Sequence, residues 1–405
     1  MYDLVIAGGH VFDPGQSLDG VMDVAVSDGR IVAIGTGLAR EAARVMQLTP
    51  NQYVVPGLID AHAHVMYGAQ TPGVNWQAAP PDLAGVLSGV TTVADAGTVG
   101  AWNFGIYPLY IRPQAKTRTV AFLNIGRTGI LGQPLGHPDV SHPDEVDLKG
   151  TLKACAEHRD AIKGIKLRLV GPVLNDGGGE ALIAKAVTAA REAGLPLMVH
   201  IGDSLSKSAA APGLTRCLLR SLQPGDIVTH ICTAHPGGVL DENRRVVPEL
   251  REALDRGVLI DSASGRNNFS VDVCRRLAEQ GVHPHTISTD MSTPGRRSIV
   301  FSLLECMAKF MAVGYTFEQV IRMTTTNAAR LLGMSDEIGA LAVGRVADIT
   351  VLEVVRGAWQ FRDCFGETFT GETALVPVHT VRAGELIAPE WGPHPWGWLP
   401  KAVKA

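Results

Sequence analysis

Residues 54–64 read Val54-Val55-Pro56-Gly57-Leu58-Ile59-Asp60-Ala61-His62-Ala63-His64, an apolar, partly β-branched run closed by two histidines. Apolar strands of this kind suit a parallel sheet buried on both faces. Comparable runs recur at 91–96, 119–125, 162–169, 195–201, 227–231, 258–262 and 286–289. Helical patterns lie between them at 81–87, 144–158, 180–193, 212–222, 245–256, 271–280 and 298–313, with a further one over 316–332. The link at 100–116 carries the least helical pattern of all. Eight strands alternating with helices predict an α/β chain with a (β/α)8 TIM-like barrel over 54–342. A doubly wound open sheet is the alternative; the missing GxGxxG after the first strand argues against it.

Both ends of the chain read as β structure. Short β-branched runs at 2–7, 10–12, 21–26 and 30–34 are punctuated by Gly8-Gly9, Asp13-Pro14-Gly15 and Asp28-Gly29. Two more strands are expected at 347–352 and 380–387. Residues 1–53 and 343–405 are thus expected to build one small β-sandwich, with two separate β modules as the alternative. The 405 residues are 46% hydrophobic and 19% charged, enough for a large core and incompatible with a disordered chain. A net charge of −4 gives no footprint for nucleic acid or an anionic membrane surface. No stretch of about 18 apolar residues predicts a transmembrane helix. Met1-Tyr2-Asp3 begins no basic leader, and none of the six cysteines forms a CxxC pair. A reducing, cytoplasmic location and a small-molecule partner are the expectation.

In a barrel the working residues sit at the C-terminal ends of the strands. His62 and His64, at i and i+2, share a strand face and suit a divalent metal, although HxH alone equally describes two core histidines. Lys166 stands between Ile165 and Leu167, where a charged amine is costly unless paired or modified; a snorkelling lysine is the plainer reading. His200 and His230 end consecutive strands at equivalent positions. Asp290 ends the last strand, where it either joins the site or caps a turn. Together these six converge on one mouth, with nitrogen and carboxylate donors that match borderline divalent ions such as Zn²⁺. A neutral lysine amine that captures CO₂ becomes a carbamate able to bridge two metals.

The segment 54–64, with Lys166, His200, His230 and Asp290 in order, resembles the amidohydrolase superfamily. The terminal runs 3–9 and 343–349 resemble that superfamily's composite β-sandwich. Residues 89–97, 122–125 and 287–290 resemble its amidohydrolase/deacetylase branch, related to dihydroorotases. The resemblance implies two divalent ions, zinc by ligand type. His62, His64 and Asp290 would hold the more buried ion, His200 and His230 the more exposed one, and N6-carboxylated Lys166 would bridge them. It further implies that a hydroxide between the metals attacks a carbonyl carbon and that Asp290 carries its proton to the leaving group. A homo-oligomer is also implied. Two positions depart from the pattern. Met66 stands where dihydroorotases tend to carry an arginine, and Ser264 where the branch tends to carry a histidine.

The expected activity is hydrolysis of a linear amide or ester, a deacylase of N-acyl amino acids or acyloxy acids. Opening of a cyclic amide, as in dihydroorotases and hydantoinases, is the alternative. Arg127, Arg168 and Arg266 are candidates to grip a substrate carboxylate, each with a structural ion pair as its plainer role. Tyr67 and Asn268 are further substrate-binding candidates, with His235 and Cys232 behind them. The tail at 389–400 holds Trp391, Trp396 and Trp398 and is expected to pack on the sandwich or on a neighbouring subunit.

Overall fold

The computed structural model describes residues 1–68, 77–131 and 138–403. Seven strands, Leu58–Ala63, Val90–Gly100, Arg118–Asn124, Ile162–Arg168, Leu197–His200, Ile227–Thr229 and Leu259–Asp261, form a parallel sheet in chain order. The eighth expected strand, at 286–289, is not a regular strand, yet it closes the barrel. Thr286 bridges Asp261 on one side and Met291 bridges Ala63 on the other, both in parallel sense. Asp290 has φ 50°, a left-handed turn that no extended strand accommodates, and this interrupts the ladder.

An irregularity in the first barrel strand aims its two histidines. Ile59 and Ala61 belong to the inner cluster with Ala94, Ala96, Val120, Phe122, Met198 and Ile227. Ala63 and Val65, which strict alternation would also point inward, belong instead to the outer cluster. The pairing register slips between Asp60 and Ala63. The slip swaps the strand's faces and turns His62 and His64 toward the barrel axis. Below, the inner cluster is closed by Ala328, Ala329, Leu331 and Leu332. The outer cluster packs strand residues such as Leu123, Leu167 and Val199 against helices Gly178–Ala193, Ala211–Ser221, Pro248–Asp255, Val271–Glu279 and Leu303–Val313.

Strands from both ends of the chain make one nine-stranded sheet, which with its core is the β-sandwich beside the barrel. Gln52–Pro56 pairs antiparallel with Ile349–Arg362, placing Val54 opposite Val351. Leu4, Ile6, Val24, Val26, Ile31, Val54, Ile349, Val351 and Val381 share its core. Sequence reading runs 54–61 together as one strand; the structure divides it at Gly57 between sheet and barrel. A Cβ at Gly57 would lie 2.3 Å from Thr91 Oγ1, so only glycine lets the chain cross there. The C-terminal strands are much longer than expected, a hairpin of Ile349–Arg362 and Thr368–Arg382. Its residues Trp359, Phe361, Phe369 and Leu375 pack into the barrel's outer core. The helix expected at 316–332 is two, Phe317–Thr324 and Thr326–Leu331, and the link at 100–116 holds only short turns of helix.

The tryptophan-rich tail packs on its own chain. Lys401–Ala402 pairs with the long hairpin, and His394 Nε2 lies 2.8 Å from Glu305 Oε2 with both side chains buried. Trp391 and Trp396 stay exposed. Among the described residues no helix is long and apolar enough to cross a membrane.

Candidate metal centre

His62, His64 and Asp290 bring one donor atom each within 4.8 Å of one another. Lys166 Nζ stands 3.2 Å from His62 Nε2. The His230 ring centroid lies 5.1 Å from that of His62 and 4.0 Å from that of His200. All six predicted residues therefore meet in one buried chamber, at the ends of barrel strands and on the closing segment. His230, like Asp290, sits in left-handed backbone, at φ 69°. Such strained positions persist only where surrounding contacts hold them.

The partners of the histidines settle which ring nitrogen carries hydrogen. Thr98 Oγ1 donates to Asp95 Oδ2 at 2.7 Å, so at 2.9 Å it can only accept from His64 Nδ1. Thr229 Oγ1 donates to Asp261 Oδ2 at 2.8 Å and accepts from His62 Nδ1 at 3.0 Å. The Ala263 carbonyl, an acceptor only, takes the His230 Nδ1 hydrogen at 2.8 Å. Three rings thus present an Nε2 lone pair to the chamber. His64 Nε2 faces Asp290 Oδ1 at 3.1 Å, acceptor against acceptor, an arrangement that calls for a cation. His200 Nε2 and His230 Nε2 are buried without any partner. The donor set fits divalent metal ions, which cure each of these mismatches.

The electrostatics agree. Burial, with the neighbouring Lys166 charge, pulls His62 down to about 4. Burial pulls His230 to about 3, and burial with His230 beside it holds His200 well below the usual imidazole range. These rings are neutral at neutral pH. Burial lowers the Lys166 ammonium to about 7, which makes the free amine available. Burial opposes the charge of Asp290; positive charge gathered at the surrounding donor atoms, whether proton or cation, outweighs it and holds the carboxyl far below its ordinary range.

Asp95, Thr98, Thr229 and Asp261, which orient the rings, are not singled out by sequence reading. Their one signal is a polar residue inside an otherwise apolar strand end. Asp60 is similar: it accepts the Thr289 amide at 3.0 Å and the Thr289 hydroxyl, and burial lifts it to about 7. It fixes the peptide before Asp290.

The substrate-binding candidates divide. Arg168 Nη1 lies 3.1 Å from Asp139 Oδ1, both side chains nearly buried, so this guanidinium is held by the protein's own carboxylate. Arg127 lies over the Trp102 ring, 4.9 Å from its centroid, with its buried Nε unpartnered. Arg266 is exposed on the loop after the seventh strand. Tyr67 lines a cavity of about 710 Å³ with Ile106, Tyr110 and Pro81. Asn268 Nδ2 lies 3.4 Å from Asp290 Oδ2. His235 bonds the Asn267 carbonyl at 2.9 Å. The Cys232 thiol is hydrogen-bonded to Cys274, the plain buried role. Met66 is wholly buried, and Ser264 lies against the Cys306 thiol.

The profile of the family described as Amidohydrolase family matches residues 53–387. A protein named deacetylase from Enterococcus faecalis is 30% identical over 95% of this chain and 99% of its own. A dihydroorotase from Trichlorobacter lovleyi is 26% identical over 87% of this chain and 89% of its own. A crystal structure titled as an adenine deaminase superposes with a TM-score of 0.85 at 28% identity, covering 96% of this chain and 100% of the other. The barrel, the buried histidines and the match along most of its length place this chain in the amidohydrolase family, as a hydrolytic enzyme.

Proposed function

We propose that the chain is a binuclear metal-dependent deacylase that cleaves a linear amide or ester, with N-acyl amino acids or acyloxy acids as the substrate class. Under this reading His62, His64 and Asp290 hold one divalent ion, His200 and His230 a second, and N6-carboxylated Lys166 bridges them, zinc being the ion the donors suit best. One observation carries it: five neutral or anionic donors, two of them orphaned ring nitrogens, converge on a lysine whose free amine is accessible near neutral pH. When bound, the metals supply an activated water and a polarised carbonyl.

The chain's own residues do the rest. Asp290 is ionised and takes the proton of the attacking water, then gives it to the leaving group. Its Oδ1 faces His64 Nε2 across the place a cation would occupy, and its Oδ2 takes the Asn268 amide hydrogen. Asp60, through Thr289, and the left-handed backbone at Asp290 aim that carboxylate. Arg127 is the candidate for a substrate carboxylate, its ring-stacked guanidinium being preorganised.

Linear substrates are favoured over cyclic ones because Met66 is buried and apolar where an arginine would grip dihydroorotate. The similarity to a deacetylase also exceeds that to a dihydroorotase. An initial-rate screen of the zinc-loaded protein tests the reading. The panel holds N-acetyl and N-formyl amino acids and O-acetyl hydroxy acids of both hands, with dihydroorotate and hydantoins. Turnover of linear acyl compounds supports it; turnover of the cyclic compounds alone replaces it with ring opening.

A further inference from the structure

Asn268 is buried, at 5% exposure, beside the carboxylate that handles the proton. A carboxylate only accepts hydrogen bonds, so the amide nitrogen of Asn268 must be the end that faces Asp290 Oδ2, 3.4 Å away. That choice turns Oδ1 to the other side, where it is buried with no hydrogen-bond partner. A desolvated amide oxygen left unpaired is destabilising unless something satisfies it. The fold goes to some length to keep it there. The carbonyl before Asn268, that of Asn267, is held by His235 at 2.9 Å. The carbonyl after it, that of Phe269, is held by the Cys364 amide at 3.0 Å, reaching over from the long hairpin. Gly265, at φ 58°, leaves the gap in which the two side chains meet. A Cβ there would lie 2.3 Å from Asp290 Oδ2 and 3.1 Å from Asn268 Nδ2. A side chain fixed from both flanks, with an unpaired buried acceptor two bonds from the amide nitrogen that meets the proton carrier, suits a donor brought in by a substrate.

We infer that Asn268 Oδ1 accepts a hydrogen bond from the N–H of the scissile amide, and that this contact makes the enzyme select amides over esters. The inference rests on the reading of the site as a hydrolase of linear acyl compounds. Hydrolysis breaks the C–N bond, forms a C–O bond to the oxygen of water, and moves a proton to the departing nitrogen through Asp290. Asn268 transfers no proton; it aligns the nitrogen that receives one. The oxygen of an ester at the same place offers only lone pairs to Oδ1 and is repelled. An acceptor that a substrate must satisfy discriminates well against an analogue lacking the donor.

The test compares N-acetyl amino acids with O-acetyl hydroxy acids of the same carbon skeleton, in both hands, on the zinc-loaded enzyme. In Asn268→Ala the amide-to-ester ratio of kcat/KM falls at least tenfold, because only the amide has a donor to lose. Asn268→Leu, of similar volume, gives the same fall and serves where the alanine variant does not fold. Asn268→Asp keeps the acceptor and retains the ratio within about threefold while lowering both rates. A binding readout runs alongside. A phosphonamidate inhibitor, bearing the N–H, binds the native enzyme more tightly than the matching phosphonate, and the variant lacking the acceptor loses that difference. Equal losses on amide and ester in the alanine and leucine variants, with the inhibitor difference unchanged, overturn the assignment alone. Native enzyme that turns over neither series overturns the deacylase reading itself, before any variant is made.

Discussion

Asp95 reaches His64 through a single hydroxyl, that of Thr98, which accepts from His64 Nδ1 at 2.9 Å and donates to Asp95 Oδ2 at 2.7 Å. The same carboxylate oxygen accepts the amides of Val65 and Met66, at 2.8 and 3.2 Å, so the strand end and the ring are fixed by one anchor. Thr98→Val removes the hydroxyl and keeps the shape. Zinc affinity is expected to fall about 10–100-fold. Competition with a chromophoric chelator measures it, and unchanged affinity shows that the relay does no orienting.

Lys166 is enclosed by His62 and Met198 and has no carboxylate within salt-bridge distance among the described residues. Native mass spectrometry of protein grown with ample bicarbonate is expected to show the added mass of one CO₂. Lys166→Ala should lose that mass and at least about a thousandfold in kcat, some 4 kcal/mol, with partial recovery on adding a short carboxylic acid. A variant that keeps near-native turnover removes the bridge from the site.

Binding to the folded state alone stabilises it. With free zinc at about 1,000 times Kd the gain is about 4 kcal/mol, or roughly 5–10 °C in Tm for a barrel of this size. Calorimetry of chelator-treated and zinc-loaded protein gives the comparison. Equal melting points mean that no ion sits among these ligands.

The two inner arginines separate by what their loss does. Arg127→Ala should raise KM for an acidic substrate at least tenfold, about 1.4 kcal/mol, and leave kcat and stability near native. Arg168→Ala strands the buried Asp139 carboxylate and should cost about 3–5 kcal/mol of stability in urea melts. If Arg127→Ala leaves KM unmoved, the carboxylate clamp lies elsewhere.

Burial pushes the Cys155 thiol up to about 11 and the Cys306 thiol up to about 12. At pH 8 an ordinary thiol is roughly a quarter thiolate, whereas a group at 11 is about one part in a thousand. The shift is upward, so alkylation at pH 8 should spare both in the native protein and recover only toward pH 11. Peptide mapping after iodoacetamide reads this directly, and early labelling of either shows a local opening.

The barrel was legible because eight apolar runs keep their spacing, and the candidate ligands because histidines close mainly apolar strand ends such as Leu197–His200. The eighth run illustrates the limit: 286–291 pairs on both sides, yet Asp290 must leave extended geometry to face the ligands, a choice dictated by tertiary contacts. The long C-terminal hairpin was largely missed since charged and glycine positions such as Arg356 and Gly357 break its alternation, and the register shifts between Arg356 and Trp359. Asp95, Thr98 and Asp261 were invisible as partners because a hydrogen bond across 34 residues, or between strands six and seven, leaves no local pattern. Arg127 and Arg168 look alike in sequence; only the fold shows that one stacks on an indole and the other is neutralised by Asp139.

The antiparallel pairing of Gln52–Pro56 with Ile349–Arg362 has a bearing on biosynthesis. Ribosomes deliver about 5–20 residues per second, so Val54 waits about 15–60 s for Val351 to emerge. A sheet that formed from the first strands in that interval would lack its closing strand, and its open edge would invite pairing with a neighbouring nascent chain. The whole barrel is made during the wait. A chaperone that shields the amino-terminal strands, or slower crowding of polysomes, should therefore govern how much soluble enzyme a cell obtains.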